Sequence, residues 1–138
     1  MLNKLSGDPM IKTTSAYLFA LLNVLLFTSY AIEIAAITPE AAALEGMTRR
    51  VYASIAYVDG LMVLCSLGLM FAIFRKSSQI AIISGSIFWG LYICDTIMST
   101  AMSIEANTPE SIYGAWTYAV ILSAFFIWLP RFISKQQA

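Results

Sequence analysis

The sequence predicts an all-α integral membrane protein, a four-transmembrane-helix bundle that takes up residues 1–138 as a single membrane domain. Three observations predict it. Hydrophobic residues make up 59% of the chain and charged residues 12%, against about 45–50% and 25% in a soluble domain. Four windows long enough to cross a hydrocarbon core of about 30 Å contain no lysine or arginine. The connections between them are too short to hold a soluble domain.

The first window covers residues 16–37 and the second 51–74. The third covers 80–104 and the fourth 112–129. Basic residues precede the first window as they would in a signal peptide, but a signal core is about 7–15 residues and this run is longer, so it is expected to remain as a span. Short connections make sequential spans antiparallel neighbours. The N-terminal segment carries Lys4 and Lys12, the second connection Arg75 and Lys76, and the tail Arg131 and Lys135. The other side has Arg49 and Arg50 beside Glu40, Glu45, Glu105 and Glu110. The positive-inside rule then places both termini in the cytoplasm. Trp128 falls in the inner aromatic belt, and Tyr52 and Tyr113 in the outer one.

Ser29–Glu40 aligns with Ser99–Glu110, matching Ser29/Ser99, Ala31/Ala101, Ile34/Ile104, Ala36/Ala106, Thr38/Thr108, Pro39/Pro109 and Glu40/Glu110. Two tandem parallel helical hairpins would produce this internal repeat, and so would the frequency of Ala and Ser in membrane spans. Thr-Pro-Glu has a local role in either case. Threonine caps a helix, proline suits the first helical position and glutamate complements the positive end of the dipole. Ala16/Ala20, Ala56/Gly60 and Ser86/Gly90 are small-residue pairs that let helix backbones approach.

Three acids fall inside the spans: Glu33, Asp59 and Asp95. An Asp at a helix centre costs about 2.5–3.5 kcal/mol on insertion scales, and acids tolerated there face the bundle interior. At about 1.5 Å per residue, Glu33 is roughly one turn deep, and Asp59 and Asp95 are about 12–14 Å deep. Helical spacing places polar residues beside them. Tyr92, Asp95, Thr96, Ser99 and Ser103 share one face of the third span, Tyr52, Asp59 and Ser66 one face of the second, and Asn23, Tyr30 and Glu33 one face of the first. The fourth span offers Tyr113, Trp116 and Thr117. The resulting expectation is an outward-opening pocket formed by Glu33, Asp59, Asp95, Tyr30, Tyr57, Tyr92, Ser99 and Trp116. Since no span supplies a cation, the acids are expected to hold a proton, a cation or a ligand amine. Two structural roles compete with that expectation: an ion pair of Glu33 with Arg49 or Arg50, and an Asp59–Asp95 pair that shares a proton and clasps two helices.

The same composition excludes several functions. Zero histidine removes the usual ligand of zinc, haem and non-haem iron, and the commonest base near neutral pH. Neither a metal nor any other cofactor is expected. Balanced charge, eight basic against eight acidic residues, leaves no nucleic-acid footprint. No lysine is placed in a span for a Schiff base, and no phosphate-loop or nucleophile-elbow motif occurs. Cys65 and Cys94 are expected to be packing thiols, and Trp89 a packing residue.

Multi-pass ligand binding or transport is thus favoured over an enzyme of paired carboxylates. A structural or assembly subunit of a larger membrane complex is the alternative. The expected partners are the lipid bilayer, a small-molecule or cation ligand, and a homo-oligomeric copy or other membrane protein.

Overall fold

In a computed structural model of the chain, residues 7–44, 49–105 and 111–137 are described, apart from the side chains of residues 44, 49, 102, 105 and 111. Among these described residues five helices follow in order: α1 (Pro9–Ala35), α2 (Pro39–Leu44), α3 (Arg49–Arg75), α4 (Ser78–Glu105) and α5 (Ser111–Gln137). Helices α1, α3, α4 and α5 are each long and apolar enough to cross a membrane, and the chain is a multi-pass membrane protein. At 1.5 Å per residue each long helix measures about 40 Å. They therefore continue beyond the apolar windows into the interface on both sides.

Local chemistry explains where the helices start and stop. Asp8 accepts a hydrogen bond from the Met10 amide at 2.9 Å, and Pro9 fills a first-turn position that needs no amide hydrogen. Helix α1 thus begins well before Ala16. It ends at Ala35, where the Ile37 amide turns back to the Ile34 carbonyl. Thr38-Pro39-Glu40 does start a helix, with the Thr38 hydroxyl accepting from the Ala41 amide at 3.2 Å. That helix is the six-residue α2, not the next span. The matching Thr108-Pro109-Glu110 lies outside the described residues.

The α3–α4 turn is the tightest connection. Lys76 adopts a left-handed φ of 52°, the Ser77 amide donates to the Ala72 carbonyl, and the Lys76 amide donates to the Ile73 carbonyl. These two bonds satisfy carbonyls at the end of α3. Ser77 then caps α4, its hydroxyl accepting from the Ile80 amide at 3.3 Å.

Backbones pack in sequence: α1 on α3, α3 on α4, and α4 on α5. Of the small-residue pairs expected to bring helices together, Ala16 and Ala20 are buried. The others do not act this way, because a Cβ added at Gly60 or Gly90 would meet nothing within 4 Å. Close approach occurs instead at Gly68, where a Cβ would stand 2.5 Å from the Ser84 hydroxyl. Gly85 plays the corresponding part between α4 and α5, beneath the Phe126 ring. The ring of helices is closed between α1 and α5 by long side chains. Phe19 packs on Tyr118 and Phe125, and Gln136 donates to the Thr13 hydroxyl at 3.0 Å.

Two apolar clusters fill the interior. One, including Ala16, Ala20, Leu69, Ile73 and Leu129, occupies the half nearer the chain termini. The other, including Phe27, Met62, Phe88 and Leu122, lies at mid-height. Above it, toward the 38–50 and 105–111 connections, the interior becomes polar.

Candidate functional site

The buried polar residues among those described are Asn23, Asp59, Ser66 and Thr96. Three of them have donors satisfied by the preceding turn of their own helix. Asn23 donates to the Phe19 carbonyl at 2.8 Å, Ser66 to Met62 at 3.0 Å and Thr96 to Tyr92 at 2.8 Å. Asp59 is only 3% exposed and makes no hydrogen bond to a described residue. No buried side-chain oxygen or nitrogen among the described residues is left sealed without a partner, so the Asp59 oxygens open onto free space.

That space is a cavity of about 640 Å³ bordered by all four long helices. Asp59 comes from α3, Asp95, Thr96 and Ser99 from α4, Tyr30 from α1 and Tyr118 from α5. From Arg49 to Asp59, and from Glu105 back to Asp95, the helical rise is about 15 Å in each case. The two carboxyl groups therefore share one depth, and both border the cavity. Among the described residues, no lysine or arginine borders the cavity.

Aromatic side chains form its lower wall. Phe27 meets Tyr30, Phe88 and Tyr92 edge to face, with ring centroids 6.0, 5.3 and 6.1 Å apart. The Tyr92 hydroxyl donates to the Ala115 carbonyl at 2.9 Å, which ties α4 to α5. Below this layer the apolar clusters close the bundle. The cavity thus carries carboxyl and hydroxyl groups in its wall above an aromatic floor.

Five of the residues expected in the pocket line this cavity: Asp59, Asp95, Tyr30, Tyr92 and Ser99. Glu33 does not. It is exposed near the end of α1, and no ion pair joins it to Arg50. The Arg49 side chain lies outside the described residues. Tyr57 is 77% exposed and borders a separate apolar groove of about 720 Å³ between α1 and α3. Trp116 also stands on the outer surface, its indole donating to the Thr100 hydroxyl at 2.9 Å. Tyr52, expected in the outer aromatic belt, is buried instead. Cys65 and Cys94 are free thiols, and Trp89 donates to Ser123 at 2.8 Å.

Tyr118 is the residue that the polar pattern missed. Its hydroxyl donates to the Asn23 side-chain oxygen at 2.5 Å. The spacing Ala115, Tyr118, Ala119, Leu122, Phe126 and Leu129 marks the inward face of α5, one residue round from the face that carries Tyr113 and Thr117. No known protein family, curated protein or solved structure matches the chain.

Proposed function

We propose that the cavity binds a small cationic ligand, with Asp59 and Asp95 as its counter-charges and Tyr30, Tyr92 and Tyr118 as its aromatic walls. The observation that carries this reading is Asp59: a carboxyl buried to 3% exposure, facing a cavity with no basic side chain among its described lining residues. Leaving such a group without a partner in the membrane interior is costly. A cation over tyrosine faces recovers part of that cost. The volume, about 640 Å³, suits an organic molecule, since pockets for such ligands run from about 300 to 1,000 Å³. A proton or bare metal ion would leave most of it unfilled. The aromatic floor favours binding over passage in this arrangement of helices.

The distribution of basic residues supports cytoplasmic termini and hence an outward-facing cavity. A structural or assembly subunit is the second reading. It is favoured by the open surface over Gly90, where an added Cβ would meet nothing within 4 Å. That reading leads to co-purifying membrane proteins and an isolated chain that responds to no ligand.

Thermal stability in mild detergent separates the two. Wild type and Asp59→Asn/Asp95→Asn are compared across a panel of monovalent cations, lipophilic amines and sterols. A binding amine raises the wild-type midpoint, by about 2.7 kcal/mol of stabilisation at a hundredfold excess over Kd, and leaves the folded double variant unmoved. Tyr57→Phe, outside the cavity, keeps the full response. Absence of any wild-type shift, or an equal shift in the double variant, overturns the proposal.

A further inference from the structure

We infer that the ligand is an amphiphilic amine that reaches Asp59 and Asp95 sideways from the bilayer, through a slot between α1 and α5. This rests on the cavity reading above and adds the route and the class of molecule. Three helix contacts are backbone-to-backbone, whereas α1 and α5 meet through long side chains. The size of those side chains changes along the seam. In the lower part, Phe19 and Asn23 of α1 face Phe125 and Tyr118 of α5, joined by ring contacts and the 2.5 Å hydrogen bond. Above Tyr118, Gly114 and Ala115 are the described α5 residues in the cavity wall.

The α1 stripe continues with no such reduction, through Leu26, Tyr30 and Ile34. Two small residues opposite three large ones leave the seam unfilled. A Cβ added at Gly114 would meet nothing within 4 Å, and Tyr30 on the opposite flank is 44% exposed while bordering the cavity. The gap thus runs from the outer surface of the bundle to the carboxyl pair, with the Asn23–Tyr118 bond as its lower edge. Its flanks are mainly hydrocarbon and aromatic ring, which suit an apolar chain, and its charged end suits an ammonium group. A molecule that enters here keeps its chain against lipid or protein throughout and exposes only its head to the carboxyls.

The test uses the full chain in lipid nanodiscs with three probes: octylammonium, which has both charge and chain, octanol, which has the chain, and ethylammonium, which has the charge. Wild type is expected to be stabilised by octylammonium at least tenfold more tightly than by either of the others. Gly114→Phe, which fills the slot from open space, is expected to weaken octylammonium tenfold or more. Gly60→Phe, which has equal space on the other flank of α1, stays within twofold of wild type. Ethylammonium binding as tightly as octylammonium overturns the bilayer route, as does Gly114→Phe binding like wild type. The comparison of the two ammonium ions on wild type decides the matter alone if Gly114→Phe does not fold. Octylammonium binding unchanged in Asp59→Asn/Asp95→Asn overturns the carboxylate reading itself, a failure distinguishable from loss of the slot alone.

Discussion

The Tyr118 hydroxyl and the Asn23 side-chain oxygen lie 2.5 Å apart across the seam between the first and last helices. The bond joins residues at nearly opposite ends of the chain, deep in a region otherwise held by rings. Interhelical hydrogen bonds in membranes average about 0.6 kcal/mol and reach about 1.7, and an orphaned buried partner adds to the loss. Tyr118→Phe is expected to destabilise the bundle by about 1–2 kcal/mol, measured by reversible unfolding in mixed micelles. Asn23→Leu with Tyr118→Phe should cost less than the two single changes combined. Strict additivity would show that the bond contributes nothing.

Gly68 and Ser84 set the distance between α3 and α4. Because a Cβ at position 68 would come within 2.5 Å of the Ser84 hydroxyl, Gly68→Ala should cost about 1–3 kcal/mol by overpacking. Adding Ser84→Ala removes the nearest atom and leaves the Ser84 Cβ at 3.3 Å. Part of the lost stability should return in the double variant. No recovery in the same unfolding experiment would mean that the helices are held apart elsewhere.

Lys76 occupies the left-handed region at φ 52°, a conformation that costs a side-chain-bearing residue roughly 1 kcal/mol and glycine little. Lys76→Gly is therefore expected to stabilise the folded chain by about 0.5–1 kcal/mol. Lys76→Ala loses the same charge without gaining the backbone freedom. Equal unfolding midpoints for the two variants would refute the account of this turn.

Orientation is tested with single cysteines in a Cys65→Ala/Cys94→Ala background. A membrane-impermeant maleimide should label Glu40→Cys in intact cells and Gly7→Cys only after permeabilisation. The reverse pattern would invert the proposed topology and turn the cavity toward the cytoplasm.

Much of the cavity was legible because polar groups within a bilayer have few places to go. Tyr52, Asp59 and Ser66 recur at one helical face, and all three are buried. Asp95, Thr96 and Tyr92 follow the same rule on α4 and reach the same space. The rule weakens near helix ends, where a side chain can reach water or headgroups. Glu33 falls under that exception, whereas Tyr57, two residues before Asp59 and so about 200° round α3, and Trp116 stand on outward faces.

On α5 the inward face is marked by size more than polarity. Ala115, Tyr118, Ala119 and Leu122 carry that signal, whereas Tyr113 and Thr117 stand outside. Small-residue spacing also has several solutions along any span. Gly68/Ala72 and Ala81/Gly85 fit the same pattern as Ala56/Gly60, and only packing against a neighbouring helix distinguishes the ones that bring backbones together. Tyr118 could have been found from the inward spacing of α5, but its bond to Asn23 depends on how the first and last helices meet.

The shared depth of Asp59 and Asp95 also has an electrical consequence. Allowing for the part of each helix that overhangs the hydrocarbon, a cation resting at the pair lies roughly a third of the way across the membrane field. With cytoplasmic termini, a negative-inside potential draws that cation toward its site. At about 2.3 kcal/mol per charge for each 100 mV, this fraction contributes about 0.8 kcal/mol, close to fourfold in affinity. The gain depends on where the charge comes to rest and not on its route, so occupancy of the cavity would follow the energised state of the membrane.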